Sequence, residues 1–166
     1  MPQEGTWTVL RNGVLAGAAG GLAEIAWVSV YAGMTGMDPG EVARAVTTAA
    51  GLGSLFPAMP AALGITVHMT LALALGIALA AAWERIATRT SGAANPYWVA
   101  LPALAAVWAF NFFVVLPVVD PPFVHLLPYA VSLTSKLLFG LAAAEVLRQS
   151  VSGRARARKA QPATVR

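Results

Sequence analysis

Four apolar runs, at residues 13–34, 61–83, 97–117 and 123–147, each hold about the twenty residues that a helix needs to cross a hydrocarbon core of about 30 Å. Within lipid every backbone N–H and C=O must be satisfied inside the protein, which leaves helices or a closed barrel as spanning structures. These runs are rich in Ala, Leu and Gly. They lack the alternation, over about ten residues, of a lipid-facing barrel strand. The expected fold is therefore an all-α membrane protein, a four-transmembrane-helix bundle filling residues 1–149 and leaving no room for a separate soluble domain. Composition agrees, because 58% hydrophobic against 11% charged residues is too apolar for an ordinary soluble domain of this size. There is no cysteine, so disulfides are excluded.

Orientation follows from the cations, since Lys and Arg near span ends resist translocation. Arg11 precedes the first run, Arg85 and Arg89 lie between the second and third, and Arg148, Arg154, Arg156, Arg158, Lys159 and Arg166 follow the fourth, whereas the other side has only Arg44. Both termini are expected in the cytoplasm, in a bacterial cytoplasmic (inner) membrane. The first run is longer than a signal-peptide core of about 7–15 residues and reads as an uncleaved anchor, although "AGA" at 16–18 leaves cleavage open.

The link between the first two runs carries its own helix signals. Asp38 can cap a helix start, Pro39 suits the first position, and Glu41 completes a capping-box spacing. Val42, Ala45, Val46 and Ala49 recur at helical spacing opposite Arg44 and Thr48, which predicts a short outer interfacial helix over about 39–50. It is either a packed connecting helix or a lid over a site. "PVVDPP", residues 117–122, leaves room only for a tight hairpin, so the third and fourth spans should pack antiparallel. Residues 150–166 are basic and poor in apolar side chains; they are expected to form a disordered cytoplasmic tail drawn to anionic lipid headgroups rather than to nucleic acid.

Four polar groups sit deep in the runs: Glu24, His68, Asn111 and Lys136. An intramembrane charge costs about 2.5–3.5 kcal/mol on insertion scales and normally faces the interior and a partner. Glu24 and Lys136 each lie eleven residues from the same end of their runs, about 16 Å deep at helical rise. Gly13, Gly17, Gly20 and Glu24 fall on one stripe, and His125, Tyr129, Ser132, Lys136 and Gly140 on another, so the two stripes are expected to face each other and pair Glu24 with Lys136. Such a pair either fixes helix register or serves as a proton relay or substrate-anchoring acid. His68 and Asn111 lie at similar depth near the other end and are expected to share a hydrogen bond.

Nothing in the sequence calls for a cofactor. His68 and His125 stand at different depths, which disfavours a bis-histidine haem. Met34, Met37, Met59 and Met69 show no tight metal spacing and read as packing. No nucleophile triad, zinc signature, phosphate loop or dinucleotide fingerprint is present, so no metal site and no enzyme is expected.

"GVLAGAAGGLAE", "LGITVHMTLALALG", "WAFNFFVVLP" and "VHLLPYAVSLTSKLLFGLAAAEVLR", in that order, resemble small bacterial inner-membrane proteins of the domain-of-unknown-function type. The resemblance covers most of residues 13–147 and implies a four-helix inner-membrane protein with no activity to carry over. In topology alone the chain is also similar to small multidrug transporters, which have four spans and an acid in the first. The added surface helix and Lys136 depart from that pattern. The sequence thus reads as a structural or accessory membrane component. The alternative is a small proton-linked transporter or channel using Glu24 with Lys136 and His68, with Asn111 along the outer path. Under either reading its partners are the lipid bilayer and, through Ala- and Gly-rich faces, a second copy or a larger membrane complex.

Overall fold

The computed structural model describes residues 2–55, 57–90 and 95–160, and among these it is all-helical. The elements are α1 (Pro2–Thr35), α2 (Pro39–Ala49), α3 (Pro60–Arg89), α4 (Pro96–Phe110), a π-helical turn (Asn111–Val115), α5 (Leu116–Val119), α6 (Pro121–Val124) and α7 (Tyr129–Ala160). Four segments are long and apolar enough to cross a membrane: Gly5–Thr35, Pro60–Arg89, Pro96–Val119 and Tyr129–Ser150.

Proline sets several of the helix starts, because its fixed φ suits a first turn that needs no N–H there. Pro39, Pro60 and Pro96 open α2, α3 and α4. The Asp38 carboxylate accepts the Gly40 N–H at 2.9 Å, and the Asn95 side-chain oxygen accepts the Tyr97 N–H at 3.1 Å. Gly51 ends the turn after α2 at φ +69°, a conformation that suits glycine. Pro117 offers no N–H to the carbonyl one turn before it. There the helix widens, so that the Leu116 N–H reaches back to the Asn111 carbonyl, and α4 continues through the π turn into α5.

Two boundaries differ from the sequence expectation. The last long helix begins at Tyr129, not at 123, because Pro128 disfavours helical backbone just before it. His125 therefore lies in the turn between α6 and α7 and does not share a helix face with Lys136. At the other end α7 continues to Ala160, through residues expected to be disordered. Ala, Arg and Lys are good helix formers, and extending an existing helix avoids the nucleation cost. Residues 161–166 of the expected tail lie outside the described residues.

α1 is central to the packing. It runs antiparallel to α3 on one side and to α7 on the other, α4 packs on α7, and α2 packs on α3. Missing side chains permit the close approaches. A Cβ on Gly17 would lie 2.5 Å from the Ala72 carbonyl oxygen, and one on Gly76 would lie 2.3 Å from the Gly17 nitrogen. The glycine stripe thus divides: Gly13 and Gly17 meet α3, while Gly20 and Glu24 turn toward α7. α3 and α4, despite their short connection, scarcely touch. The bundle is closed along three of its four seams.

Candidate functional site

Glu24 is buried where α1 passes between α3 and α7. The Lys136 ammonium stands 2.8 Å from Glu24 Oε1 and donates to Oε2 at 3.0 Å. Ser135, also buried, donates its hydroxyl to Oε1 at 3.2 Å. From α3, His68 Nε2 donates to the Gly21 carbonyl at 3.4 Å and lies 3.8 Å from Glu24 Oε2. One carboxylate is therefore faced by an ammonium, a hydroxyl and an imidazole from two other helices.

Helix register explains this convergence. α1 and α7 pair Trp27 with Val131, through an indole N–H to carbonyl bond of 3.0 Å, then Glu24 with Ser135 and Lys136, then Gly20 with Phe139. Phe139 is fully buried directly on Gly20, and the Lys136 Nζ is 5.7 Å from its ring centroid. An ammonium at that distance is attracted to the ring face. Ring and carboxylate thus hold the lysine between them.

The other expected site residues separate. His68 turns to α1, so the expected His68–Asn111 hydrogen bond is not formed; the reason is that α3 packs on α1 and not on α4, while Asn111 opens the π turn. Ser132 faces α4, receiving the Trp108 indole N–H at 3.0 Å. Tyr129 packs with Trp108, Phe112 and Phe113 in an aromatic cluster with centroid separations of 5.5–6.1 Å. Gly140 also faces α4, at Leu101. The polar stripe of α7 therefore meets α4 over most of its length, and only Lys136 reaches across to α1. Among the methionines, Met69 packs on Gly21, whereas Met34 and Met59 are exposed.

Sequence reasoning missed Ser135, whose only signal was its place one residue before Lys136 and one turn before Phe139. It also missed Glu145, which accepts from Tyr97 Oη at 2.5 Å, Arg148 Nε at 2.8 Å and Gln149 Nε2 at 2.8 Å. That network ties the start of α4 to α7 at the arginine-rich end.

No protein-family model, curated protein or solved structure matches the chain. The resemblance to small inner-membrane proteins accordingly contributes no activity, and the site is read from its own chemistry.

Proposed function

We propose that this chain is a multi-pass protein of a bacterial cytoplasmic membrane, with both termini cytoplasmic, and that it acts as a structural or accessory membrane component rather than an enzyme. One observation carries the reading: both oxygens of Glu24 are engaged by groups of α7. The interior polarity is used in joining two helices, and a half-satisfied partner would be costly at that depth.

The orientation rests on charge. Arg11, Arg85, Arg89 and Arg148 belong to one end, while Arg44 at the other is paired with Asp38. On this reading α2 is an outer interfacial helix, and the basic end of α7 adjoins anionic headgroups of the inner leaflet. Lipid-facing Ala and Gly surfaces suit a second copy or a larger membrane assembly.

A proton-linked transporter or channel is the second reading, favoured by the third titratable group, His68, beside the Glu24 carboxylate. Two measurements test the proposal. Periplasmic-reporter fusions after Gly53 should be active and those after Arg89 inactive. Proteoliposomes should show no pH-driven proton flux above protein-free vesicles. A flux abolished by Glu24→Gln would overturn the structural reading in favour of the transporter.

A further inference from the structure

Buried side chains are unevenly distributed along the bundle. On α4 they are Pro96, Ala100 and Leu104, all from its beginning to its middle. Beyond Leu104 no described residue of α4, the π turn or α5 is buried. The apolar core that Leu104 joins includes Leu79, Trp83, Phe139, Ala143 and Leu147. It fills the arginine-rich half and stops at Phe139, one turn below Lys136.

The ion cluster thus sits on top of this core, where the seam between α3 and α4 opens. The exposures follow that geometry: the Glu24 side chain is 5% exposed, Lys136 21% and His68 25%. Asn111, part-buried, lies two turns beyond Leu104 at the start of the π turn. Ionisable side chains part-exposed at membrane depth are tolerated where they meet water. Toward the arginine-rich end the path is blocked by about 12 Å of apolar side chains, from Phe139 to Leu147 at helical rise.

We infer that Glu24, Lys136 and His68 form a proton-binding site that exchanges with water only at the α2–α6 end, through the seam between α3 and α4. His68 donates Nε2–H to Gly21 and toward Glu24, which leaves the Nδ1 lone pair to take the proton. The donor is a hydronium ion arriving through the seam: one of its O–H bonds breaks as the Nδ1–H bond forms, water leaves, and the cluster gains one positive charge. The charged groups facing His68 are Glu24 from α1 and Lys136 from α7. Such a site loads and unloads on one side and conducts nothing, so it goes beyond the structural reading without requiring flux.

The chain has no cysteine and only two histidines, which makes the test direct. Full-length single-cysteine variants His68→Cys, Asn111→Cys, Leu79→Cys and Leu104→Cys are placed in oriented membrane vesicles and treated with a membrane-impermeant cationic methanethiosulfonate. Thiols at 68 and 111 should react about tenfold faster than those at 79 and 104, and only from the side bearing α2, because reactivity follows access. In parallel, the imidazole NMR signal of His68, distinguished from His125 through His125→Gln, should titrate between about pH 5 and 8. No reaction at 68 and 111, equal reaction from both sides, or a His68 signal flat across that range would overturn the inference. The stability cycle on Glu24 and Lys136 given below is a separate readout, so the proton site can fail while the structural pair stands.

Discussion

The ring of Phe139 occupies the space that a side chain at position 20 would need: a Cβ on Gly20 would lie 2.7 Å from two of its carbons, and the ring is fully buried. This contact draws α1 and α7 close enough for the next turn of each to bring Glu24 to Lys136. Gly20→Ala should therefore destabilise the protein by about 1–3 kcal/mol, as overpacking does. Gly33→Ala, on the same helix with nothing within 4 Å, should be neutral or stabilising by up to about 1 kcal/mol. Denaturation in detergent checks the pair; equal tolerance of both substitutions would contradict the packing account.

At the opposite end α2 is seated on α3 by Gly64 and Thr47. A Cβ on Gly64 would fall 1.7 Å from the Ala43 carbonyl oxygen, and the buried Thr47 hydroxyl donates to the Pro60 carbonyl at 2.6 Å. Gly64→Ala should lift α2 from α3, visible as faster amide exchange in α2 with α1 and α7 unchanged. Thr47→Val should cost about 1 kcal/mol by removing this buried hydrogen bond. Thr48→Val, which loses only an exposed bond to Arg44 of its own helix, should have little effect. Such local loosening would also separate a packed connecting helix from a lid, which would exchange fast in the wild type.

The Asp38 carboxyl is held below its ordinary range, first by the hydrogen bond from Arg44 and then by the Gly40 N–H. The folded form thus binds this proton less readily than the unfolded chain does. The resulting stabilisation is complete above the ordinary aspartate range near about pH 4 and is lost as pH falls through the lower folded value. Amide exchange in the first turn of α2 should be steady from neutral pH down to that range and accelerate below it. In Asp38→Asn, which keeps a cap but not the charge, that acid-dependent acceleration should disappear. Acceleration already at mildly acidic pH would contradict the assignment.

How much of this was legible in the sequence depended on what each residue could be measured against. Glu24 and Lys136 are isolated charges in long apolar runs, so counting from the run ends placed them at one depth, and depth with antiparallel topology sufficed to bring them together. His68 and Asn111 were also matched by depth, but contact needed the rotation of α3, which is set by Gly64 against α2 and by Gly76 against α1. Neither approach is visible in hydropathy. The face assigned to α7 was misdirected by His125, which Pro128 removes from the helix, and by Ser132 and Gly140, which belong to the α4 seam. Local helix signals were read more securely: the Asp38–Pro39 start of α2 follows from chemistry within a few residues. The open seam between α3 and α4 departs from the general rule that a short connection joins packed neighbours, and no residue of either run signals it.

The most direct measurement is a thermal-stability cycle in detergent on wild type, Glu24→Gln, Lys136→Met and the double variant. Each single change strands a buried polar partner and should cost about 3–5 kcal/mol, whereas the double variant should recover most of that loss. Ser135 and His68 remain in all four proteins, so the recovered fraction reports the Glu24–Lys136 coupling itself. Additive losses, or neutral single variants, would contradict the claim that this pair joins α1 to α7.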